Sequence, residues 1–317
     1  MNYYKTELLK DYNIKLIGMI EDWCSGFKMA KELGISRTAV WKAIAKLKDM
    51  GYEIETRKGK GYKLLKKPEI SAYEIVSRLE KIDDIVNLIE EVYYYKEIGS
   101  TNEVAKKIGK SKILVFAEKQ KTGKGRLGRR WSSEYGGLYF SIALTPILPL
   151  DDVPKITLTT GLAVCEALND LKLDAKIKWP NDVLIYGKKV CGILCEILGE
   201  VELPLVIVGI GVNVKNEIPD DLKDKATSIK EFKDLTLLDV FEKIIKKFYL
   251  NYKMLIDERW DTIRQRWVEK SDTIGKNVVI KVSNKEYSGR AINIDKDGGL
   301  LLEDGTKVYS GECFYIS

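Results

Sequence analysis

The chain has 317 residues, of which 45% are hydrophobic and 32% charged, and its formal net charge is +6. This composition is ordinary for a soluble globular protein, and the length favours two or three domains. The chain contains no histidine, which excludes Ser-His-Asp and Cys-His nucleophile chemistry, so any reaction must use lysine, arginine, carboxylate or backbone groups.

The cysteines are odd in number and none forms a CxxC pair: Cys24, Cys165, Cys191, Cys195 and Cys313. Their spacing offers no zinc site, so we predict reduced thiols and no metal centre. No apolar stretch approaches the ~20 residues that span a bilayer, and the first residues lack the apolar core of a signal peptide. The sequence therefore predicts a cytoplasmic protein with no membrane partner.

The positive charge is concentrated at the N-terminus. Residues 1–67 hold 15 Lys and Arg against 8 Asp and Glu, whereas the remaining residues hold 38 against 39. A locally basic domain indicates a polyanionic partner such as DNA. The alternative is a basic surface that serves only solubility.

Residues 28–50 have the pattern of a helix-turn-helix. Gly34 can adopt the positive φ of a tight turn, and Ser36 can cap the second helix. Apolar residues at helical spacing predict the buried face of that helix: Val40, Ile44 and Leu47. The residues near its start that remain available to contact bases are Arg37, Thr38, Trp41 and Lys42.

The next segment, 51–65, is typical of two strands joined by a basic glycine turn, the wing of a winged helix. Three residues of the wing are predicted to contact DNA phosphates: Arg57, Lys58 and Lys60. A helical pair packed for structural reasons alone is the alternative. Pro68 disfavours helix in the residue before it, so we predict a DNA-binding domain over residues 1–66.

Ser100 and Glu103 have the spacing of a capping box, which would explain both residues structurally. The functional alternative is that the hydroxyl groups at this helix start face a pocket and bind a polar group of a small molecule.

A glycine-rich basic loop follows a predicted strand at 112–117. Gly123, Gly125 and Gly128 match G-x-G-x-x-G, but the loop leads into another strand, 138–144. A dinucleotide fingerprint must open a helix, so a Rossmann domain is rejected. Residues 119–130 hold six basic and no acidic residues. Such a loop favours binding of an anionic ligand, and Trp131 is predicted to form one wall of the binding site. The alternative is a basic loop that is only solvated.

The rest of the chain alternates helix and strand. Residues 154–171 are typical of an amphipathic helix with proline in its first turn. Pro180 and Asn181 interrupt a strand pattern, and 205–213 is a buried strand with glycines where a ligand or backbone comes close. Residues 237–270 are predicted to be mostly helical. Short strands and turns from 274 onward suit a small β-barrel, for which a purely structural appendage is the alternative.

The order of five motifs resembles the biotin protein ligases. They are Ser-Thr-Asn at 100–102, Gln-x-x-Gly-Lys-Gly-Arg-x-Gly-Arg-x-Trp at 120–131, Lys-Trp-Pro-Asn-Asp at 178–182, Lys-x-x-Gly-Ile-Leu at 189–194 and Gly-x-Gly-x-Asn at 209–213. With the winged helix in front, the whole chain resembles the bifunctional ligase–repressor branch. This implies a multidomain α+β protein: a winged helix-turn-helix, a central mixed-sheet ligase domain (67–270) and a small SH3-like β-barrel (271–317).

The resemblance also implies roles for the matching residues. The residues at the biotin and adenylate would be Ser100, Thr101, Asn102, Gln120, Gly123, Lys124, Gly125, Arg126, Arg129, Trp131, Lys178, Lys189, Gly192 and Asn213. Lys189 and Arg126 would offset phosphate charge, and Asp182 would orient the acceptor amine. Lys178 has an equally plausible structural role at a strand end. Family members often have arginine where this chain has Lys124, and lysine loses the fork geometry of arginine.

The implied activity is ATP-dependent ligation of biotin to a lysine of a biotin carboxyl carrier protein, with Mg²⁺ and with biotinyl-5'-AMP as the intermediate. No covalent enzyme intermediate is required. Biotinyl-5'-AMP is expected also to act as corepressor by promoting a homodimer that binds operator DNA. Two other functions stay open: a non-enzymatic biotin-sensing DNA-binding regulator, and a lipoate or other acyl-carrier ligase of related fold.

Overall fold

A computed structural model describes residues 3–8, 11–199 and 204–316. Its helices and strands are mixed along the chain in an α+β arrangement. The N-terminal elements are β1 Tyr3–Glu7, α1 Tyr12–Met19, α2 Gly26–Leu33, α3 Arg37–Asp49, β2 Glu53–Arg57 and β3 Gly61–Lys66. The central elements are α4 Ala72–Leu79, β4 Glu91–Ile98, α5 Thr101–Ile108, β5 Ile113–Gln120, β6 Leu138–Leu144, α6 Val153–Asp170, β7 Ala175–Lys178, β8 Asp182–Ile185, β9 Lys188–Leu198, β10 Leu205–Val212, α7 Leu237–Ile256 and α8 Trp260–Glu269. The C-terminal elements are β11 Asn277–Val282, β12 Lys285–Ile294, β13 Leu300–Leu302, β14 Lys307–Val308 and β15 Glu312–Tyr315.

The N-terminal helices and the β2–β3 hairpin form the predicted winged helix. Gly34 ends α2 with φ 66°, in the left-handed region that glycine adopts at little cost. The Ser36 hydroxyl accepts a hydrogen bond of 3.0 Å from the backbone N–H of Ala39, so the predicted cap of α3 is formed. Val40, Ile44 and Leu47 are buried, as the helical spacing predicted. These local signals place α2 and α3 in a helix-turn-helix.

The central sheet has eight strands in the order β1-β4-β5-β6-β10-β9-β8-β7. It is mixed, because β4 and β5 are parallel whereas their neighbours pair antiparallel. Strand β1 precedes the winged helix in the chain but pairs with β4, with Lys5 opposite Tyr93. This pairing satisfies the backbone groups of an otherwise open edge. The sequence did not predict that the first residues belong to the central sheet.

Helices cover both faces of the central sheet. On one face, Phe116 and Phe140 stack with ring centroids 6.5 Å apart, and Phe241 of α7 meets both rings edge-on. On the other face, Ala105 of α5 packs against a separate cluster that includes Val115. Because side chains alternate along a strand, Val115 and Phe116 point to opposite faces. The α5 face carries the site described below.

The C-terminal segment folds as a five-stranded antiparallel sheet in the order β14-β13-β12-β11-β15. A small β domain is therefore present, as the turn pattern predicted. The sheet is open, with β14 and β15 as its two edges, so closure into a barrel is not seen in the described residues. Helices α7 and α8 also agree with the helical prediction for 237–270.

Candidate active site

A cavity of about 240 Å³ lies beside the start of α5, and segments from distant parts of the chain line it. They are the start of α5, the end of β5 at Gln120, the basic loop 124–131, the β7–β9 region, residues 209–211 of β10 and residues 311–314. Most of the residues predicted to bind ligand line this one cavity: Ser100, Thr101, Asn102, Gln120, Lys124, Gly125, Arg126, Arg129, Trp131, Lys178, Asp182, Lys189 and Gly192. Residues from distant parts of the sequence are thus brought together; their roles stay predictions.

A buried polar network forms one end of the cavity. The backbone N–H of Thr101 donates to Gln120 Oε1 at 2.8 Å, and Gln120 Nε2 donates to the hydroxyl of Ser133 at 2.9 Å. Ser141 Oγ donates to Asn102 Oδ1 at 2.6 Å and lies 2.7 Å from Thr101 Oγ1. Because these groups hold one another in place, the donors and acceptors that face the cavity are preorganised. Sequence reasoning missed Ser133 and Ser141, although a serine within the apolar strand β6 is itself a signal.

The predicted capping box at the start of α5 does not form. Ser100 precedes the helix and is buried, but its side chain makes no capping hydrogen bond. Glu103 instead accepts from Lys106 at 3.2 Å and from Lys124 at 2.7 Å. These lysines compete for the carboxylate that a capping box would need, and the Ser100 side chain lines the cavity. The structural interpretation of this motif was therefore wrong.

The basic loop is a short hairpin rather than the start of a helix. The backbone N–H of Trp131 donates to the carbonyl of Gly123 at 2.9 Å, and that of Gly125 donates to the carbonyl of Arg129 at 2.7 Å. A Cβ on Gly123 would lie 2.5 Å from both Ser133 Oγ and the Trp131 carbonyl oxygen. Gly123 therefore allows close backbone approach, but it does not line the cavity. The loop leads into β6, which agrees with the rejection of a Rossmann fold.

The indole of Trp131 lies across two glycines of the sheet. A Cβ on Gly211 would come within 2.6 Å of Trp131 Nε1, and one on Gly192 within 3.0 Å of Trp131 Cζ3. Any larger residue would push the indole away. A Cβ on Gly209 would likewise collide with the amide of Asn102. The glycines of β9 and β10 thus make room for the side chains that shape the cavity.

Lys189 and Arg126 are among the cationic side chains that line the cavity. Lys189 Nζ pairs with Asp182 Oδ1 at 2.7 Å and lies 5.2 Å from the Trp131 ring centroid. Arg126 Nη1 donates to Asn181 Oδ1 at 3.3 Å and to the Gly311 carbonyl at 3.2 Å. Burial lowers the pKa of the Arg126 guanidinium, although a guanidinium stays protonated in proteins. An anion entering here would meet both ammonium and guanidinium groups.

The C-terminal sheet completes the wall of the cavity through residues 311–314. Arg129 forms an ion pair with Glu312, and Lys178 Nζ lies 4.7 Å from the ring centroid of Tyr315. The C-terminal sheet is therefore more than an appendage, since it contacts the basic loop and the end of β7. The sequence carried no signal for this contact, because more than 100 positions separate the partners.

Two of the residues predicted to bind ligand, Gly123 and Asn213, do not line the cavity. Asn213 does not line the cavity; it is buried, and its Nδ2 donates to the Thr227 carbonyl at 3.1 Å while its Oδ1 accepts from Asn216 at 3.1 Å. These bonds fix the turn after β10, which is the physical reason for an asparagine here. A nucleotide contact from Asn213 would require these bonds to be exchanged.

A second surface presents the residues predicted to bind DNA. All seven of these side chains, on α3 and on the β2–β3 hairpin, are exposed. Trp41 is 61% accessible, and the other six are Arg37, Thr38, Lys42, Arg57, Lys58 and Lys60. Arg57 and Lys60 lie 5.2 and 5.9 Å from the ring centroid of Trp23, which sequence reasoning missed. These contacts hold the turn end of the wing near Trp23, just before α2.

Three further features of the described residues bear on the sequence predictions. The five cysteines are free thiols, and burial raises the pKa of Cys195 to about 11. Within 3–8, 11–199 and 204–316, no group of three or more Cys, Asp or Glu residues is arranged to hold a metal ion. Over the same ranges, no helix combines the length and apolar character needed to cross a membrane.

A winged helix joined to a cavity with a basic glycine loop defines a DNA-binding protein that carries a site for an anionic small molecule. Three family models agree with this class. The Biotin/lipoate A/B protein ligase family matches residues 94–213, an HTH domain matches 21–63, and the Biotin protein ligase C terminal domain matches 273–315.

The relatives specify the family further. The chain is 36% identical to the bifunctional ligase/repressor BirA of Bacillus subtilis over 92% of this chain and 93% of that protein. It is 28% identical to the Escherichia coli protein of the same name, covering 92% of each. Its fold matches the biotin protein ligase from Aquifex aeolicus in complex with biotin and ATP, with a TM-score of 0.63 and 33% identity, over 71% of this chain and 98% of that one. The chain belongs to the family of bifunctional ligase/repressors.

Proposed function

We propose that this chain is a biotin–protein ligase that joins biotin to a lysine of a biotin carboxyl carrier protein and represses transcription in response to biotin. The observation that carries the ligase assignment is the single cavity in which Lys189, Arg126 and the polar start of α5 meet. One end offers hydrogen-bonding groups for a polar head group, and the other offers cations for a carboxylate and a phosphate.

In the first step, a carboxylate oxygen of biotin attacks the α-phosphorus of ATP. The bond from that phosphorus to the oxygen bridging to the β-phosphate breaks, and pyrophosphate leaves with the electron pair. Lys189 and Arg126 offset the negative charge that builds up on the α-phosphoryl oxygens. Mg²⁺ bound with the ATP would offset phosphate charge, and the cavity-lining carboxylates of Asp182 and Glu312 would be the oxygen donors near it.

In the second step, the ε-amine of the acceptor lysine attacks the acyl carbon of biotinyl-5'-AMP and expels AMP. Asp182, 2.7 Å from Lys189, orients the amine and accepts its proton. The basic loop covers the mixed anhydride and keeps water from hydrolysing it. Each of these roles uses a lysine, an arginine or a carboxylate, in keeping with a chain that has no histidine.

The regulatory part of the proposal rests on the exposed basic wing and α3. Biotinyl-5'-AMP acts as corepressor by promoting a homodimer, whose two winged helices bind paired half-sites of operator DNA. Because its proposed partners are operator DNA and a carrier protein, we expect this activity in the cytoplasm. The C-terminal β domain is proposed to be an SH3-like barrel that supports the basic loop.

Pyrophosphate release tests the ligase assignment. Purified protein with MgATP should release pyrophosphate and label a carrier domain when biotin is added, and not when lipoate is added. Release with lipoate instead would favour a lipoate ligase, which the family description also covers. Biotin binding with no pyrophosphate release would favour a non-enzymatic sensor. A gel shift on operator DNA that does not respond to biotin would remove the repressor role and leave the ligase intact.

A further inference from the structure

The side-chain amide of Asn102 is held on several sides in the wall of the cavity. Its Nδ2 donates to Glu196 Oε2 on β9 at 2.7 Å, and its Oδ1 accepts from Ser141 Oγ on β6 at 2.6 Å. A Cβ on Gly209 would lie 2.2 Å from Asn102 Oδ1, so only glycine leaves room for the amide against β10. Asn102 is 3% exposed and lines the cavity. Its amide therefore has a fixed position there.

Glu196 decides which end of this amide faces which neighbour. A carboxylate only accepts hydrogen bonds, and Lys106 Nζ, 2.6 Å from Glu196 Oε1, pairs with the ionised form. If the amide of Asn102 were turned over, its Oδ1 would face Glu196 Oε2, and two acceptor oxygens would meet with no proton between them. Ser141 would tolerate either orientation, because a hydroxyl can donate or accept and Thr101 Oγ1, 2.7 Å away, can take its proton. The carboxylate thus selects the orientation.

We propose that Glu196 is a positioning residue that makes Asn102 present an acceptor oxygen to an N–H group of the ligand. Glu196 does not line the cavity, so it acts on the ligand only through Asn102. An amide oxygen has two lone pairs; the bond from Ser141 uses one, and the other accepts from the ligand. This inference rests on the proposed function and narrows its substrate class, because the ureido ring of biotin carries N–H donors whereas the dithiolane ring of lipoate carries none.

Glu196→Gln should weaken biotin binding and leave the chemistry intact. A glutamine of equal size offers Asn102 either an oxygen or an N–H group, so the acceptor faces the ligand only part of the time. The Leu194 carbonyl, 3.3 Å from Asn102 Nδ2, still favours the original orientation. We therefore expect the Kd for biotin to rise by about two- to fivefold, less than the full loss of one hydrogen bond. The kcat at saturating biotin should change by less than about twofold, as when a uniform binding interaction is lost.

The test compares full-length Glu196→Gln, Asn102→Ala and the double variant by isothermal titration with biotin. Asn102→Ala removes the acceptor itself, so its Kd should rise by about three- to tenfold. The double variant should bind biotin no more weakly than Asn102→Ala, because Glu196 acts through an amide that is already gone. Pyrophosphate release at saturating biotin and MgATP gives kcat for the same proteins, and thermal melting shows that each is folded.

Glu97→Gln is the matched control. Glu97 also pairs with a lysine, Lys121, at 2.8 Å, and neither residue lines the cavity. This variant should keep the wild-type Kd and kcat. The inference is overturned if Glu196→Gln binds biotin like the wild type, if its effect adds to that of Asn102→Ala in the double variant, or if kcat falls while Kd is unchanged. Wild-type protein that binds no biotin would instead refute the proposed function, and this inference with it.

Discussion

Lys189→Ala is the most direct perturbation of the proposed chemistry. Lys189 Nζ lies between the Asp182 carboxylate and the Trp131 ring, and its side chain is 31% exposed. Alanine removes the ammonium that would bind the α-phosphoryl oxygens while charge develops on them. Loss of one such preorganised group costs about 3 kcal/mol of transition-state stabilisation, which corresponds to a roughly 10²-fold fall in kcat.

The same substitution should hardly affect folding. Because both side chains of the Lys189–Asp182 pair contact solvent, we expect its loss to lower the free energy of unfolding by less than about 1 kcal/mol. Lys189→Arg should recover only part of the activity. Lys189 Cε and Nζ lie 3.2 and 3.3 Å from the position that a Cβ on Gly192 would occupy, and we expect this tight space to leave the larger guanidinium poorly placed.

Initial rates of biotin-dependent pyrophosphate release, measured at saturating MgATP, give the comparison. Lys188→Ala is the control, because Lys188 is the exposed neighbour and donates to the Lys223 carbonyl at 2.7 Å, away from the cavity. It should retain the wild-type rate. A Lys189→Ala protein that is folded by thermal melting and keeps more than about a third of the rate, a cost of under roughly 1 kcal/mol, would refute the role given to this lysine.

Three further predictions follow from single contacts. Gly211→Ala places a Cβ 2.6 Å from Trp131 Nε1, so KM for biotin and ATP in the pyrophosphate assay should rise by about tenfold, equivalent to an overpacking cost of ~1.4 kcal/mol. Burial raises the pKa of Glu118, to which the Tyr94 hydroxyl donates at 2.5 Å. A raised pKa in the folded state means that this carboxyl group favours folding below its unfolded pKa and loses that contribution as pH rises through the folded pKa. Glu118→Gln should therefore melt about 1–3 °C higher at pH 8 and equal the wild type near pH 4 in thermal melts. Lys60→Ala, on the exposed wing, should weaken binding to duplex DNA of any sequence and reduce the logarithmic salt slope by about 0.9 in fluorescence titrations.

Each of these predictions has a control elsewhere in the chain. Gly161→Ala, whose Cβ would lie 3.5 Å from Ile177 Cγ2, should leave both KM values unchanged. Glu134→Gln removes an exposed carboxylate that pairs with Lys119 at 2.6 Å, so it should not melt above the wild type at pH 8. Lys285→Ala alters an exposed side chain and should leave the salt slope unchanged. An unchanged KM in Gly211→Ala, a Glu118→Gln melt below that of the wild type at pH 8, or an unaltered salt slope in Lys60→Ala would contradict the corresponding contact.

Local sequence signals predicted the winged helix closely. Gly34 predicted a left-handed turn, and Ser36 predicted a side-chain cap at a helix start. The apolar spacing of α3 predicted a single buried face. Each of these signals acts within a few residues, so the chain order alone contains it. The basic glycine loop was recognised in the same way, because its charge and glycine spacing lie within one short segment.

The same local reading failed where partners lie far apart. The Ser100–Glu103 spacing indicated a capping box, but Lys124 reaches Glu103 from another loop and engages its carboxylate. The amide of Asn213, which follows a glycine motif that suggests a ligand, bonds to Thr227 and Asn216 in the turn that follows it, and a ligand contact from this residue stays a prediction. For Glu103, a competing contact decided the role of a residue whose identity had been noted correctly.

The sequence by itself determined which residue types are available for chemistry: cations, carboxylates and glycines in a chain without histidine. Only the tertiary structure decided that α5, the basic loop, β9 and the C-terminal strand β15 surround one cavity, and that β1 crosses to the edge of the central sheet. The physical reason is that hydrophobic periodicity specifies an element and its buried face, whereas the meeting of distant elements depends on packing and loop closure across the whole chain.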